Sequence, residues 1–574
     1  MLYSDTALSF WGGVDPASGE IIDRHHPLSG KFIAGQVLAI PSGRGSCTGS
    51  SVLLELILNG RAPAALVLAQ PDEILVLGAI VAELVFGHRL PVISLGPQAF
   101  AGLRDISWVN LQEDGLLTVT TDREQQEAPL ATADTAPCGA APDEPAPVKL
   151  SASDQAILGG AQGKARQVAM QIVLRMAQIQ GADELIDVVQ AHIDGCIYTG
   201  AASLRFARQL RDWGGQVKIA TTLNSISVDQ RRWRALGIDP AFGEPASELA
   251  QAYVDMGASP SFTCAPYLLG SAPVAGQQIV WAESNAVVFA NSVIGARTAK
   301  YADFLDLCIA LVGRAPKAGC HLTANRRASM RIQLPPLHAL DDSFYPVLGY
   351  CIGLLAGHRI PLICGLESAS PSQDELKAFG AAFATTSSAP MFHIAGVTPE
   401  APDTESALGG MPPEAEHQIT LGELEKGWQE LNSASDARVD LVALGNPHFS
   451  ACECAALARL CQGRLRHTAT AVVLTTSRAV HADAARNGDV AVLEAFGVNL
   501  ITDTCWCMLG EPIVPPLARV IMTNSGKYAH YAPGLTGRQV HFGSLADCVE
   551  AACTGLAPDQ RPTWLTPGVP APLF

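Results

Sequence analysis

Residues 41–51 read Pro-Ser-Gly-Arg-Gly-Ser-Cys-Thr-Gly-Ser-Ser, which places four hydroxyls and one thiol between Ser46 and Ser51. An apolar, strand-like run (36–40) precedes this stretch and a helix-like run (52–58) follows it. Its glycines permit a tight turn with positive φ. At a helix start, free amides and the positive end of the dipole favour anions. A serine placed there can cap the helix, hold a carboxylate, or lose its proton more easily than usual.

Four later stretches combine polar groups with cysteine, glycine or proline. Residues 261–267 contain Cys264. A strand-like run ends in Glu283, Ser284 and Asn285. Another ends in Asn446-Pro447-His448. The last, 502–507, contains Cys505-Trp506-Cys507 and is followed by Asn524-Ser525-Gly526-Lys527. Strand ends of this kind are where α/β folds place substrate groups. Each stretch also has a plainer use as a turn. Cys505-Trp506-Cys507 is C-x-C rather than C-x-x-C, so it is neither a redox pair nor half a zinc ribbon. No Walker loop, G-x-G-x-x-G, H-E-x-x-H or G-x-S-x-G is present, which argues against kinases and dehydrogenases. Thiolates that converge only in space can hold an iron–sulfur centre without any regular spacing.

The elements that must position these groups follow from periodicity. A chain of 574 residues is too long for one core and predicts two to four domains. Strands at 36–40, 65–69 and 91–94 alternate with helices at 50–59 and 72–86, a compact β-α-β-α-β unit. Residues 124–148 are rich in Ala, Pro, Asp and Glu and read as an extended linker. One long helix is expected from Ser153 to Ile179. Strands follow at 216–220, 279–281, 362–364, 441–444 and 471–475, and the acidic stretch 399–416 reads as a solvated excursion. The domain division expected is 1–123, 124–149 and 150–574.

Composition narrows the function. Hydrophobic residues make up 48% and charged residues 16%, which suits a packed α/β enzyme. A net charge of −17 disfavours nucleic acid. No apolar run reaches membrane-spanning length, and the best candidate, 74–86, is interrupted by Glu83. No basic, apolar leader is visible at the N-terminus, so free cytoplasmic thiols are expected. Most cysteines, among them Cys308, Cys351, Cys461, Cys548 and Cys553, fall in apolar contexts as small core residues.

Taken together, the segments resemble aconitase X, a divergent branch of the aconitase superfamily. The N-terminal match rests on Phe10-Trp11-Gly12-Gly13-Val14-Asp15-Pro16, His26-Pro27-Leu28-Ser29-Gly30 and residues 43–51. The C-terminal match rests on Thr221-Thr222-Leu223-Asn224, Thr263 to Tyr267, Trp281 to Asn285, residues 291–298, Pro447-His448, Asp503-Thr504-Cys505 and Asn524 to Lys527. The fold implied is α/β, with a small swivel α/β domain linked to a large multi-lobed α/β catalytic region. Within the family, split archaeal chains resemble phosphomevalonate dehydratase. Fused bacterial chains, whose arrangement this one shares, resemble enzymes that dehydrate cis-3-hydroxy-L-proline to Δ1-pyrroline-2-carboxylate. The expected activity is therefore that of a hydro-lyase on hydroxyproline, with 5-phosphomevalonate as the alternative substrate.

The resemblance also implies roles. A swivel serine is the base, either Ser46, from the superfamily pattern, or Ser50, which better fits the helix start and is preferred. The superfamily arginine after the serines is missing, so Arg44 or Lys527 would supply positive charge. An iron–sulfur cluster with an open iron would be held by Cys264, Cys505 and Cys364, with Cys452, Cys454 and Cys507 as alternatives for the third ligand. Asn446 stands where archaeal-type chains tend to carry cysteine, which points to fewer irons, as in [2Fe–2S]. Asn224, Glu283, Ser284, Asn285 and His448, with amides of the Gly195-Cys196 turn, would line the substrate pocket. The chain is expected to act as a monomer, with a small molecule as its partner and neither nucleic acid nor membrane.

Overall fold

The structure, a computed structural model, describes residues 1–23, 26–44, 46–111, 117–120, 128–129, 147–559 and 561–565. Most of the expected linker lies outside the described residues.

Alternation writes the first unit. Leu38, Ile40, Leu66 and Leu68 face one side of a sheet, while Ala39, Val67 and Ala69 face the other. Its strands, Leu2–Tyr3, Val37–Ile40, Ala65–Leu68 and Val92–Ser94, are parallel and lie in sequence order. Helices Gly49–Leu58 and Glu73–Phe86 cover the first face, and Phe100 of the short helix Pro97–Ala101 covers the second. The expected strands and helices are all present, with ends shifted by a residue.

The large region has three lobes. In the first, Gln190–Ile193 pairs in parallel with Ala220–Leu223 on one side and Val280–Trp281 on the other. The long helix expected up to Ile179 is two helices, Ala152–Leu158 and Lys164–Ile179. Gly160 and Gly163, both at positive φ, break it between them. The second lobe is a parallel sheet ordered His393–Ile394, Pro361–Cys364, Met330–Gln333, Ala415–Gln418. The stretch read as a solvated excursion therefore buries Ala401 and Ala407 and leads into an edge strand. The third lobe is a five-stranded parallel sheet ordered Val498–Ile501, Ala471–Thr476, Leu441–Phe449, Val520–Thr523, Gln539–Phe542. Its order reverses between Leu441–Phe449 and Val520–Thr523, and crevices at the carboxyl ends of such strands bind ligands.

The swivel unit is docked by specific groups. The buried Glu55 carboxylate, on the helix Gly49–Leu58, accepts the Ala202 amide at 2.6 Å. It thus meets the N-terminus of helix Ala201–Asp212 from across the interface. Gly200, at φ 153°, makes room, since a Cβ there would lie inside that carboxylate. Gly200→Ala is expected to lower stability by about 2 kcal/mol, because the displaced carboxylate leaves buried amides unmet. Urea unfolding checks this. Glu55→Gln, which keeps an acceptor oxygen, should lose less than half as much.

Candidate active site

Strand ends from two lobes converge. The first lobe contributes Asp194, Asn224 and Glu283 just past the carboxyl ends of its three parallel strands. The third lobe contributes Asn446 and His448 at the end of Leu441–Phe449, Cys505 and Cys507 after Val498–Ile501, and Lys527 after Val520–Thr523. The swivel turn at Cys47 faces them, and its buried thiol lies within the electrostatic reach of Asp194, Glu283 and Asp303.

Three thiols form a row. Cys505 is central and hydrogen-bonded by both Cys264 and Cys507. Those two bonds, aided by Lys527 and Ser225, hold the Cys505 thiol well below its ordinary pKa despite burial. Burial and the Cys505 charge push the Cys264 thiol up, and donation to Cys505 holds the Cys507 thiol up. The Asn446 amide donates to the Cys507 sulfur at 3.2 Å, and the His448 N–H donates to the Cys264 sulfur at 3.3 Å. Among the described residues no group of three or more His, Cys, Asp or Glu is arranged to hold a single metal ion. Thiols are the donors that soft metals and iron–sulfur centres take.

Beside the row, Lys527 donates to Glu283 at 2.8 Å. Burial alone would depress the Lys527 ammonium, but Glu283, Cys507 and Cys505 drive it well above its ordinary range. Lys527 is therefore a fixed cation, not a base. It stands in the first turn of helix Gly526–Thr536, the end whose dipole repels cations, so its anionic neighbours must hold it there. Tyr531, one turn on, lies near Lys527, Cys507, Glu283 and Arg44, and burial pushes its phenol up to about 12.

Two strained residues support the thiols. Phe262, two before Cys264, has φ 39°, and Asp503, two before Cys505, has φ 72°. Arg478 ties them together. Its guanidinium forks onto both Asp503 oxygens at 2.6 Å and lies 5.0 Å from the centre of the Phe262 ring.

The expected site residues divide into groups. Cys264, Cys505, Glu283 and Lys527 come together, and Ser284 is half-buried at the start of helix Ser284–Phe289. Asn285 is fully engaged, with its amide on Glu283 Oε1 and on the Cys264 carbonyl (3.0 Å) and its oxygen taking the Tyr267 hydroxyl (2.8 Å). It positions the Cys264 loop. His448 is likewise a strut between loops, with one ring nitrogen on the Thr504 carbonyl (2.7 Å) and the other on the Thr263 hydroxyl (3.1 Å). Burial lowers its pKa, so it is neutral. Asn224 binds Asp194 and Ser225 rather than open space. The Gly195 amide points to Asp306 (3.4 Å), and the Cys196 thiol is buried against the Ile193 and Asn224 carbonyls, so neither is offered to a ligand. Arg44 is exposed and paired with Asp23 at 2.6 Å.

Other expected residues are placed as follows. Cys364 does not join the row. It packs with Ala328, Leu362, Ala395, Ala401 and Ala407 in the second lobe, under the influence of Arg331 and Glu367. Cys507 takes its place, while Cys452 is exposed and Cys454 is in the third-lobe core. Ser50 is fully buried, its hydroxyl spent on the Cys47 and Asp303 carbonyls at 3.1 and 3.2 Å. Ser46 is only half-buried, and its oxygen accepts the Thr48 N–H at 3.3 Å.

This architecture is that of the aconitase X family, and the chain belongs to it. The aconitase X swivel domain matches residues 1–119, the first domain 147–324, the second 328–429 and the third 439–554. The chain is 60% identical over 570 residues to the cis-3-hydroxy-L-proline dehydratase of Pseudomonas aeruginosa, covering 99% of this chain and 96% of that one. It is 53% identical over 579 residues to the protein of that name from Hypocrea jecorina, with the same coverage of both. The crystal structure of Thermococcus kodakaraensis aconitase X (holo-form) superposes with a TM-score of 0.64 at 31% identity, covering 71% of this chain and 100% of that one.

Proposed function

We propose that the chain is a hydro-lyase that removes water from cis-3-hydroxy-L-proline and gives Δ1-pyrroline-2-carboxylate once the enamine product tautomerises. The observation that carries this reading is the thiol row beside the Glu283–Lys527 pair, facing the swivel serine turn. Similarity over 99% of the chain to two proteins of that activity supports it.

Cys264, Cys505 and Cys507 are the residues that would hold the iron–sulfur cluster, and with three thiols and an asparagine, Asn446, beside Cys507 a [2Fe–2S] centre is the form proposed. When bound, such a cluster supplies a Lewis acid for the leaving hydroxyl. The rest of the work falls to the chain. Ser46, having first released its own proton to solvent, takes the α-proton and returns to a hydroxyl; the Thr48 amide and the dipole of helix Gly49–Leu58 support its oxygen while it is anionic, and a solvent proton leaves with the 3-hydroxyl as water. The substrate carries a carboxylate and a ring ammonium, which match the Lys527 cation and the Glu283 carboxylate. The Ser284 hydroxyl completes the carboxylate's surroundings. Seating the swivel turn over these groups keeps water from the carbanion.

The experiment is a turnover assay on protein purified without oxygen. Pyrroline-2-carboxylate is trapped with o-aminobenzaldehyde, with trans-3- and trans-4-hydroxyproline and 5-phosphomevalonate as controls. Turnover of the cis-3 isomer alone supports the reading. Turnover of phosphomevalonate alone, or of none in iron-loaded protein, overturns it. Arg478→Lys is expected to lower iron content and turnover together by about 10- to 100-fold, since a lysine can neither fork onto Asp503 nor lie flat on Phe262. Metal analysis beside the assay checks this, with the circular dichroism spectrum expected to stay unchanged.

A further inference from the structure

Three carboxyls, Asp194, Asp303 and Asp306, are buried where the swivel helix meets the first lobe, each 0–1% exposed. Asp306 is satisfied by the amides of Asp194 and Leu307, both at 2.7 Å. Asp303 and Asp194 are different. The Asp303 Oδ2 takes the Ser51 hydroxyl at 2.9 Å, while Oδ1 meets no N–H or hydroxyl donor. The Asp303 carboxyl is also hydrogen-bonded to the side chain of Asp194. Two carboxyl groups can be hydrogen-bonded to each other only through a proton held between them.

From this pair, bonds run outward in both directions. Toward the swivel unit, Asp303 binds Ser51 by its side chain, the Ser50 hydroxyl by its carbonyl (3.2 Å) and the Cys47 carbonyl by its amide (3.3 Å). Toward the thiols, Asp194 accepts the Asn224 amide, the Asn224 oxygen accepts the Ser225 N–H at 2.7 Å, and the Ser225 hydroxyl reaches Cys505. Backbone strain marks the junction, since Phe304 beside Asp303 has φ 81°.

We propose that Asp303 is a positioning residue for the reaction, sharing one proton with Asp194 and so tying the swivel serine turn to the Cys505 loop. The chain of bonds fixes the distance between base and thiols only while that proton is present. Without it, two buried anions face each other, with Asp306 and Glu283 adding repulsion. The other titratable neighbours are Cys47, Cys196 and Tyr253, all held neutral by burial, and Lys300, whose positive charge reaches Cys47. Burial and the Asp306 charge raise the Asp303 carboxyl to about 8. A raised folded-state pKa means that docking is favoured below that pH and weakened as pH rises through it.

The inference rests on the dehydratase reading for one of its two readouts only. Turnover is measured against pH for the full-length, iron-loaded protein and for Asp303→Asn, Asp303→Leu and Ser51→Ala. Deuterium exchange of peptides covering 46–58 is followed on the same proteins. Asn can donate to Asp194 and accept from Ser51 with no proton to lose. Asp303→Asn should therefore keep kcat within about threefold and lose the fall in activity above about pH 8, with exchange insensitive to that pH beyond its chemical rate. Asp303→Leu should lower kcat about 100-fold with KM nearly unchanged, and Ser51→Ala about 10-fold, both with faster exchange in 46–58. An alkaline fall that persists in Asp303→Asn, or normal kcat and exchange in Ser51→Ala, overturns the proposal even if Asp303→Leu fails to fold. If the parent turns over no hydroxyproline, the dehydratase reading fails and the pH dependence of exchange alone decides this one.

Discussion

Cys505→Ala protein is expected to emerge from an oxygen-free purification colourless, with iron and sulfide near zero and turnover reduced by at least about 1,000-fold. Cys505 is the thiol that both neighbours hydrogen-bond and the one held as a thiolate, so its loss removes the centre of the row. Cys264 and Cys507 would then lose their common acceptor and remain buried, protonated thiols. Cys364→Ala is the matched control, because its second-lobe surroundings contain no other thiol. It should keep its colour and activity, at a cost limited to a small cavity. Iron, sulfide and visible absorption of the two variants decide the matter. A brown Cys505→Ala protein, or a colourless Cys364→Ala protein, would return Cys364 to the ligand set.

Ser46→Ala is expected to lower kcat by about 1,000-fold with KM changed little, the loss typical of a missing general base. Ser50→Ala should instead lose about 1 kcal/mol of stability and keep most of its kcat, because its hydroxyl joins two backbone carbonyls across the swivel interface. Steady-state kinetics and urea unfolding on the pair separate base from strut. Reversed results would restore Ser50 as the base. The Ser46 assignment draws on its half-exposure and on the Thr48 N–H aimed at its oxygen.

Why the sequence favoured Ser50 has a physical cause. Position relative to the helix start can be read locally, but the Asp303 carbonyl that consumes the Ser50 hydroxyl lies 253 residues away. The same holds for Cys364. A cysteine ending an apolar strand looks alike in every lobe, and only packing decides which strand ends converge. The swivel elements were legible because Leu38, Ile40, Leu66 and Leu68 alternate with Ala39 and Val67 in short, well-punctuated runs. The strand-end motifs around Cys264, Glu283, His448, Cys505 and Lys527 were legible because polar groups broke apolar runs there. Cys507 carried a usable signal. It stands two residues after Cys505, inside the single helical turn Trp506–Met508 that Cys505 opens, so the two thiols are close in the chain as well as in space. Tyr531 carried another, four residues beyond Lys527 on one helix. Asp194, Asp303 and Arg478 carried none, since the partners of each lie far off in the chain.

The Glu55 carboxylate at the start of helix Ala201–Asp212 has a consequence for assembly. It joins the Ser51–Asp303 bond in making the docked interface a recognition event between side chains and backbone. Affinity, orientation and register are then properties of the two surfaces, and a single methyl group at Gly200 acts on the bound state itself.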